Sequence, residues 1–326
     1  MLIGGICPST EIWGGVRRYF EMGNCFVDRG HTYHFIYKYK TRSPWINFKG
    51  TLVPITDIKK YKYDIIFTGA HESFPDLLGA LAETKVVLVV SNFYTDKYIE
   101  LYNKGAADYL WIGVSHNWQS QFIKQGITGF SCPGGVNTRF FIPDFSLRSK
   151  EIVRISFYGQ QYDRSERARQ ALDYINVETE IKKLNGLYKD RLEFIAFNSS
   201  NVKYSYPIKI QINRNQEELR KLLQSSHLVI SAKRKGCWDN VVAEAFACGT
   251  PVVSYFDGTV NLMRDGITGK LVNEDYSISE AVCWFMEDRS RLRQCGKEAR
   301  KLIENYSWEN YTDRFLKIVK TYADKR

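Results

Sequence analysis

The chain has 326 residues, 44% hydrophobic and 25% charged, which excludes long disorder and leaves room for two α/β domains with separate cores. Basic residues outnumber acidic ones 46 to 36, for a net charge of +10. That balance favours anionic partners such as phosphates, nucleic acid or an anionic membrane surface. The excess is spread over both halves of the sequence, whereas groove binding to nucleic acid needs it on one face, so a generally basic surface is the plainer reading. Seven cysteines stand scattered with no C-x-x-C spacing. They point to reduced thiols in a cytosol-like compartment rather than to zinc or a disulfide framework. The N-terminal stretch MLIGGICPSTEIWGG lacks the basic and apolar regions of a leader, and no later run approaches the roughly 18 apolar residues of a membrane span. The expected location is cytoplasmic, with any membrane contact peripheral, at an inner face.

In chain order, the apolar run Met1 to Cys7 reads as a buried parallel strand feeding a loop, and Val16 to Val27 has helical spacing that ends at Arg29-Gly30. A strand follows at about His34 to Tyr37, giving the strand-loop-helix-strand opening of a doubly wound sheet. Further strands are expected at Asp64 to Phe67, Val86 to Val90 and Leu110 to Val114, with amphipathic helices at Phe74 to Glu83 and Asn117 to Lys124. Periodicity breaks over Cys132 to Asp144, CPGGVNTRFFIPD, which places the domain boundary near residue 145. A second alternation runs through Val153 to Tyr158, Leu192 to Ala196, Leu228 to Ser231, the helical Val241 to Ala247, and Pro251 to Ser254. Ser290 to Lys325 reads as two charged amphipathic helices divided near Asn305-Tyr306-Ser307, with Ser307 a candidate N-cap.

Two stretches can carry chemistry. In the loop Thr10 to Gly15, Gly14 and Gly15 let backbone N–H groups approach an anion at a helix N-terminus, although an ordinary turn would look the same. No G-x-G-x-x-G occurs in the right context, which speaks against a nicotinamide enzyme. The other stretch is Cys237-Trp238-Asp239-Asn240-Val241-Val242-Ala243-Glu244 through Gly249-Thr250-Pro251-Val252-Val253. Here Asn240 can cap a helix whose N-terminus faces an anion, Glu244 lies one turn in, and Gly249-Thr250-Pro251 ends the helix before a buried strand.

At these residues the chain resembles glycosyltransferase family 4, the retaining enzymes of the GT-B fold. Gly14-Gly15 followed by Asp28-Arg29-Gly30-His31 is similar to that family's glycine loop and "rGH". Pro133 to Pro143 resembles "NGVDxxxFxP", Glu244 to Val253 resembles "EAMAcGtPVV", Asp265 to Gly269 resembles "DGxtG", and Tyr306 to Glu309 resembles "fSWe". The motifs fall in the family's order over most of the chain. The resemblance implies two Rossmann-like doubly wound domains with an interdomain cleft: an acceptor-side domain at 1–145, a nucleotide-sugar-binding domain at 146–305, and a C-terminal helix at 306–326 packing back toward the first.

The same resemblance implies that the glycine loop approaches the donor diphosphate or sugar, and that Glu244, as the second glutamate of a paired motif, accepts hydrogen bonds from the ribose hydroxyls. The first glutamate falls on Gly236, so Asp239 and the backbone N–H groups of Trp238 to Val241 are candidate substitutes. The family's diphosphate-binding arginine, after Gly159, falls on Gln160. Arg164, Arg167, Lys233, Arg234 or Lys235 can replace that charge, which diphosphate departure requires. His71, after the Asp64 strand, can touch donor sugar or acceptor, though a lone loop histidine is more often without a role. His71 and Arg164 are therefore the catalytic candidates. Gly14, Gly15, Gly159, Lys233, Trp238, Asp239, Asn240, Val241 and Glu244 are the donor-binding candidates.

The activity implied is retaining transfer of a hexose from a UDP- or GDP-linked sugar to a hydroxyl acceptor, with the nucleoside-diphosphate sugar as co-substrate and no obligatory metal or cofactor. A glycan or lipid-linked acceptor leads on family grounds, with Lys59 to Tyr63 as a small basic-aromatic patch for peripheral membrane contact. DNA carrying a hydroxymethylated base stays open as an acceptor. So do an epimerase or hydrolase on the same scaffold, and a catalytically degenerate sugar-nucleotide-binding protein.

Overall fold

Short β-branched and aromatic runs, buried on both faces, alternate with one-sided helices through most of the chain, and that pattern builds parallel sheets. A computed structural model describes residues 1–11, 14–39, 46–90, 94–116, 118–158, 177–198, 204, 208–212, 215–231, 238–255 and 262–325. The chain divides into two units, Met1–Gly135 with Trp308–Arg326, and Val136–Ser307.

In the first unit, β1 (Leu2–Ser9), β2 (Thr32–Tyr39), β3 (Thr51–Pro54), β4 (Tyr63–Thr68), β5 (Ala82–Val89), β6 (Leu110–Gly113) and β7 (Phe130–Ser131) form one sheet. The order is β3-β2-β1-β4-β5-β6-β7, and every pairing is parallel. One face is covered by the helices Gly14–Asp28 and Trp308–Ala323, whose Phe20, Phe26, Tyr311 and Phe315 pack on Ile3, Phe35 and Phe67. The other face carries Phe74–Gly79 and Thr95–Leu101 through Leu77 and Tyr98. Strand order reverses between β1 and β4, so their carboxyl ends form the crevice at which open α/β sheets bind ligands.

The second unit repeats the plan. Strands β8 (Val153–Tyr158), β9 (Leu192–Asn198), β10 (Lys209–Ile212), β11 (Leu228–Ser231), β12 (Val252–Tyr255) and β13 (Gly269–Val272) pair in parallel in the order β10-β9-β8-β11-β12-β13. Its reversal lies between β8 and β11. Helices Val177–Tyr188 and Ile278–Glu287 cover one face, and Asn240–Ala247 and Ser290–Ile303 pack on the other.

The boundary expected near 145 falls at Gly135 instead. The irregular segment after it is not a free linker, because Val136 and Phe141 are buried in the second unit's core. Likewise the return falls between Ser307 and Trp308 rather than at residue 306. Gly135 sits at φ +110°, and a Cβ there would lie 2.2 Å from the Trp308 ring. The indole of Trp308 also carries the guanidinium of Arg18 at 5.2 Å, while Arg18 Nη2 donates to the Gly134 carbonyl at 3.2 Å. The glycine of one family-like motif and the tryptophan of another are thus halves of one packing contact.

Two expected helices are shorter than their patterns. Phe74–Gly79 stops before Ala80, and Ala82–Glu83 already belong to β5. Among the described residues of the expected Asn117 to Lys124 helix there are only 3₁₀ turns, Trp118–Gln121 and Ile123–Gln125. There the Trp118 ring seats on Gly113 and its Nε1 donates to the Phe130 carbonyl at 3.1 Å, a tertiary anchor that overrides helical spacing. Strands β3, β7, β10 and β13 were not anticipated, being two to four residues long.

Candidate functional site

The best-defined candidate lies in the second unit, where β11 ends at Ser231 and helix Asn240–Ala247 begins. Asp239 caps that helix: its Oδ1 accepts the Val241 N–H at 3.0 Å, and its Oδ2 accepts the Ser231 hydroxyl at 2.7 Å. The cap is therefore Asp239 and not Asn240, which is the first helical residue. Asp239 is 2% exposed, and both of its oxygens are engaged inside the unit. These bonds position the helix start and commit the Val241 N–H to the Asp239 carboxylate.

The far end of the helix is held too. Arg300 Nη1 donates to the Ala247 carbonyl at 2.8 Å and to the Phe141 carbonyl at 2.9 Å, a cation on the negative helix terminus. Arg148 donates to the Gly249 carbonyl at 3.2 Å and to Thr250 Oγ1 at 2.8 Å. With both ends fixed, the helix has one direction, and its N-terminus lies at the carboxyl edge of the sheet.

Glu244 is 3% exposed, within a run from Val242 to Ala247 that is buried throughout. Glu244 is therefore not a solvent-facing helix residue. Its field adds to burial in pushing the Cys248 thiol well above its ordinary range, burial being the larger cause. Trp238 Nε1 is a buried donor without a hydrogen-bond partner among the described residues, its ring 5.6 Å from that of Tyr306. Orphaned buried donors are rare, and one beside a capped helix start suits a ligand acceptor atom.

In the first unit, His71 follows β4 at the strand-order reversal and opens the 3₁₀ turn His71–Ser73. Its approach is braced: the Gly69 N–H donates to Tyr19 Oη at 2.7 Å, and the Gly69 carbonyl accepts from Tyr98 Oη at 3.0 Å. The half-buried His71 ring stacks on Tyr94 at 4.2 Å. Lys38, at the carboxyl end of β2, donates to the Glu72 carbonyl at 2.8 Å and pairs with Asp76 at 2.7 Å. Gly14 starts helix Gly14–Asp28, and Gly15 is exposed, with no atom of the described residues within 4 Å of a Cβ built on it.

Gly159, Gln160, Arg164, Arg167, Lys233, Arg234, Lys235 and Gly236 lie outside the described residues. The Asp265 to Gly269 motif is structural: Asp265 Oδ1 accepts the Leu271 N–H at 2.8 Å, and a Cβ on Gly269 would sit 2.0 Å from the Val252 carbonyl oxygen. Sequence reasoning missed Ser231 and the tyrosines that hold Gly69; a serine closing a buried strand was the only available signal. Among the described residues no cluster suits a metal ion, and no helix is long and apolar enough to cross a membrane.

Residues 136–288 match the family described as Glycosyl transferases group 1. The D-inositol 3-phosphate glycosyltransferase of Rhodococcus opacus (strain B4) is 32% identical over 105 residues, covering 31% of this chain and 23% of that protein. A namesake from Mycobacterium bovis (strain BCG / Pasteur 1173P2) is 33% identical over 112 residues, 32% of this chain and 22% of the relative. The match thus spans under a quarter of the length of these curated relatives. Among solved structures, the whole chain is similar to sucrose-phosphate synthase from Thermosynechococcus elongatus, with TM-score 0.78, 13% identity and 100% of both chains covered. It is similar also to Anabaena HepE in complex with UDP and glucose, with TM-score 0.76, 13% identity, and 98% of this chain and 100% of that one covered. At such identities the likeness is one of fold.

Proposed function

We propose that the chain transfers a hexose, with retention of anomeric configuration, from a UDP- or GDP-linked sugar to a hydroxyl acceptor, a reading supported by the match of residues 136–288 to the glycosyl transferases group 1 family and by the GT-B fold of two Rossmann-like units. The observation that carries this reading is Glu244, a buried carboxylate on a helix fixed at both ends. It accepts the ribose hydroxyls, as charge-assisted bonds to a fixed acceptor suit a neutral diol. Trp238 Nε1 donates to the nucleotide.

With the Asp239 carboxylate seated on the helix N-terminus, the helix dipole cannot by itself neutralise a departing diphosphate. That work falls to side-chain cations, for which Arg164 and Lys233 are the candidates. Gly14, Gly15 and His71 of the first unit are candidates for contact with the donor sugar or the acceptor, as the resemblance implies. The acceptor in this reading is a glycan or lipid-linked sugar. A second reading, binding without turnover, rests on Gly236 standing where the family has a glutamate.

A thermal-shift panel with UDP, GDP, ADP and their hexose conjugates tests the donor site, since a ligand that binds only the folded state raises its stability. One nucleotide should raise the melting temperature, and Glu244→Gln should weaken that ligand roughly tenfold, about 1.4 kcal/mol. No shift with any nucleotide would sink the donor-site assignment. A shift without product release from the hexose conjugate, across an acceptor panel, would favour the second reading.

A further inference from the structure

We propose that the second unit docks on an anionic lipid surface through the ridge Ile142, Phe145 and Leu147 and the cationic groove beside it. The inference does not rest on the transfer reaction.

The three side chains are 42%, 48% and 45% exposed on one six-residue stretch of chain. Isolated exposed apolar residues are ordinary, but here they are grouped and rigidly presented. Gln224 Nε2 donates to the Ile142 carbonyl at 2.8 Å, and Asp144 Oδ1 accepts from the Ser146 N–H at 3.1 Å. Arg148 Nε donates to the Gln224 carbonyl at 3.0 Å while its guanidinium lies 4.6 Å from the Phe145 ring. The backbone is tied down and the apolar tips are left in water.

Alongside runs a groove of about 740 Å³ that takes in Ile142 and Leu147 together with Arg154, Arg220 and Lys221. Three cations face one carboxylate, Asp144, in its lining. Arg154 and Arg220 each hold an acidic partner at 2.6 Å, Glu193 and Glu217, which orients them without removing their remaining donors. The Lys221 side chain is 68% exposed and 3.9 Å from Glu217, too far for a strong pair. Apolar tips that enter the acyl boundary, flanked by cations at headgroup level, are the chemistry of a peripheral contact with anionic lipid. The ridge supplies aliphatic tips and one phenyl ring already covered by a guanidinium, so it is poorly suited to stacking bases. The basic stretch Lys59 to Tyr63 is a weaker candidate because it has no exposed apolar tip: Tyr63 is buried, and the Tyr61 ring packs on His34 at 4.7 Å.

The test is co-sedimentation of the full chain with phosphatidylcholine vesicles, with and without phosphatidylglycerol, at low and raised salt. Binding should be at least ~10-fold tighter with the anionic lipid and should weaken with salt. The double substitution Ile142→Glu with Leu147→Glu should abolish it. Lys221→Glu, a change at an exposed position, should weaken it several-fold and flatten the salt dependence, with melting temperature unchanged in both variants. Equal binding to both vesicle types, no binding to either, or binding indifferent to the substitutions overturns the proposal. So does concentration-dependent self-association that the double substitution removes, which would give this face to a second copy of the chain.

Discussion

Ser231 and Asp239 are joined by a hydrogen bond of 2.7 Å from hydroxyl to carboxylate, and through it the end of β11 is tied to the start of helix Asn240–Ala247. The same carboxylate caps the helix on the Val241 N–H. One buried side chain therefore sets both the position and the direction of the element that carries Glu244.

Replacing it removes two interactions together. Asp239→Ala should cost about 1–3 kcal/mol in urea unfolding, combining a lost cap with an orphaned buried hydroxyl at Ser231. Ser231→Ala alone should cost less, and the double variant should fall well short of the sum, since the pair shares a hydrogen bond. Additive losses would show that the two residues act independently.

At Gly135 the argument is steric. Gly135→Ala places a methyl 2.2 Å from the Trp308 ring, at a φ of +110° that L-residues avoid. A loss of about 2 kcal/mol or more is expected. Trp308→Leu in the same background should recover part of it by relieving the clash while leaving the backbone strain. Wild-type stability for Gly135→Ala would contradict this packing.

His227 supplies a pH dependence. Its Nδ1 accepts the Arg154 N–H at 3.0 Å and its Nε2 bonds the Ser149 carbonyl at 2.8 Å, which requires the neutral ring with hydrogen on Nε2. Burial is the largest cause lowering its pKa, to about 4 from the ordinary 6.5. The unfolded chain then takes up a proton, as pH falls below 6.5, that the folded chain refuses. Stability attributable to His227 is fully present above pH 6.5 and declines as pH falls toward about 4. In His227→Gln this part of the decline should vanish, seen as a shallower fall of urea midpoint across that window. Parallel curves for the two proteins would rule the mechanism out.

Tyr98 offers a test of how His71 is placed. Its hydroxyl donates toward the Gly69 and Leu88 carbonyls, at 3.0 and 3.1 Å. Tyr98→Phe should cost about 1–3 kcal/mol through the unsatisfied buried carbonyls. If His71 acts at the reacting centre, His71→Ala should lower kcat with little change in donor affinity, and Tyr98→Phe should do the same to a smaller extent. A change confined to stability would leave the histidine without a catalytic role.

Much of the architecture was legible because it depends on local periodicity. The strands β1, β4, β8 and β11 and the helices Gly14–Asp28 and Asn240–Ala247 fall within a few residues of their expected places, since buried parallel strands and one-sided helices differ plainly in spacing. The loop residues were not legible in the same way. Asp239 and Asn240 are adjacent and both are good caps by type, and only the approach of Ser231 from a strand eight positions earlier in the chain selects the aspartate.

The sequence by itself determined the strand and helix alternation that builds two parallel sheets, because it follows from patterns repeated along many residues. Tertiary structure alone decided that the segment after Gly135 belongs to the second core, that Glu244 is buried, that Asp239 caps the helix, and that Ile142, Phe145 and Leu147 stay exposed. Each of these depends on which distant atoms arrive beside a residue. Chain separation hides that information, and packing supplies it.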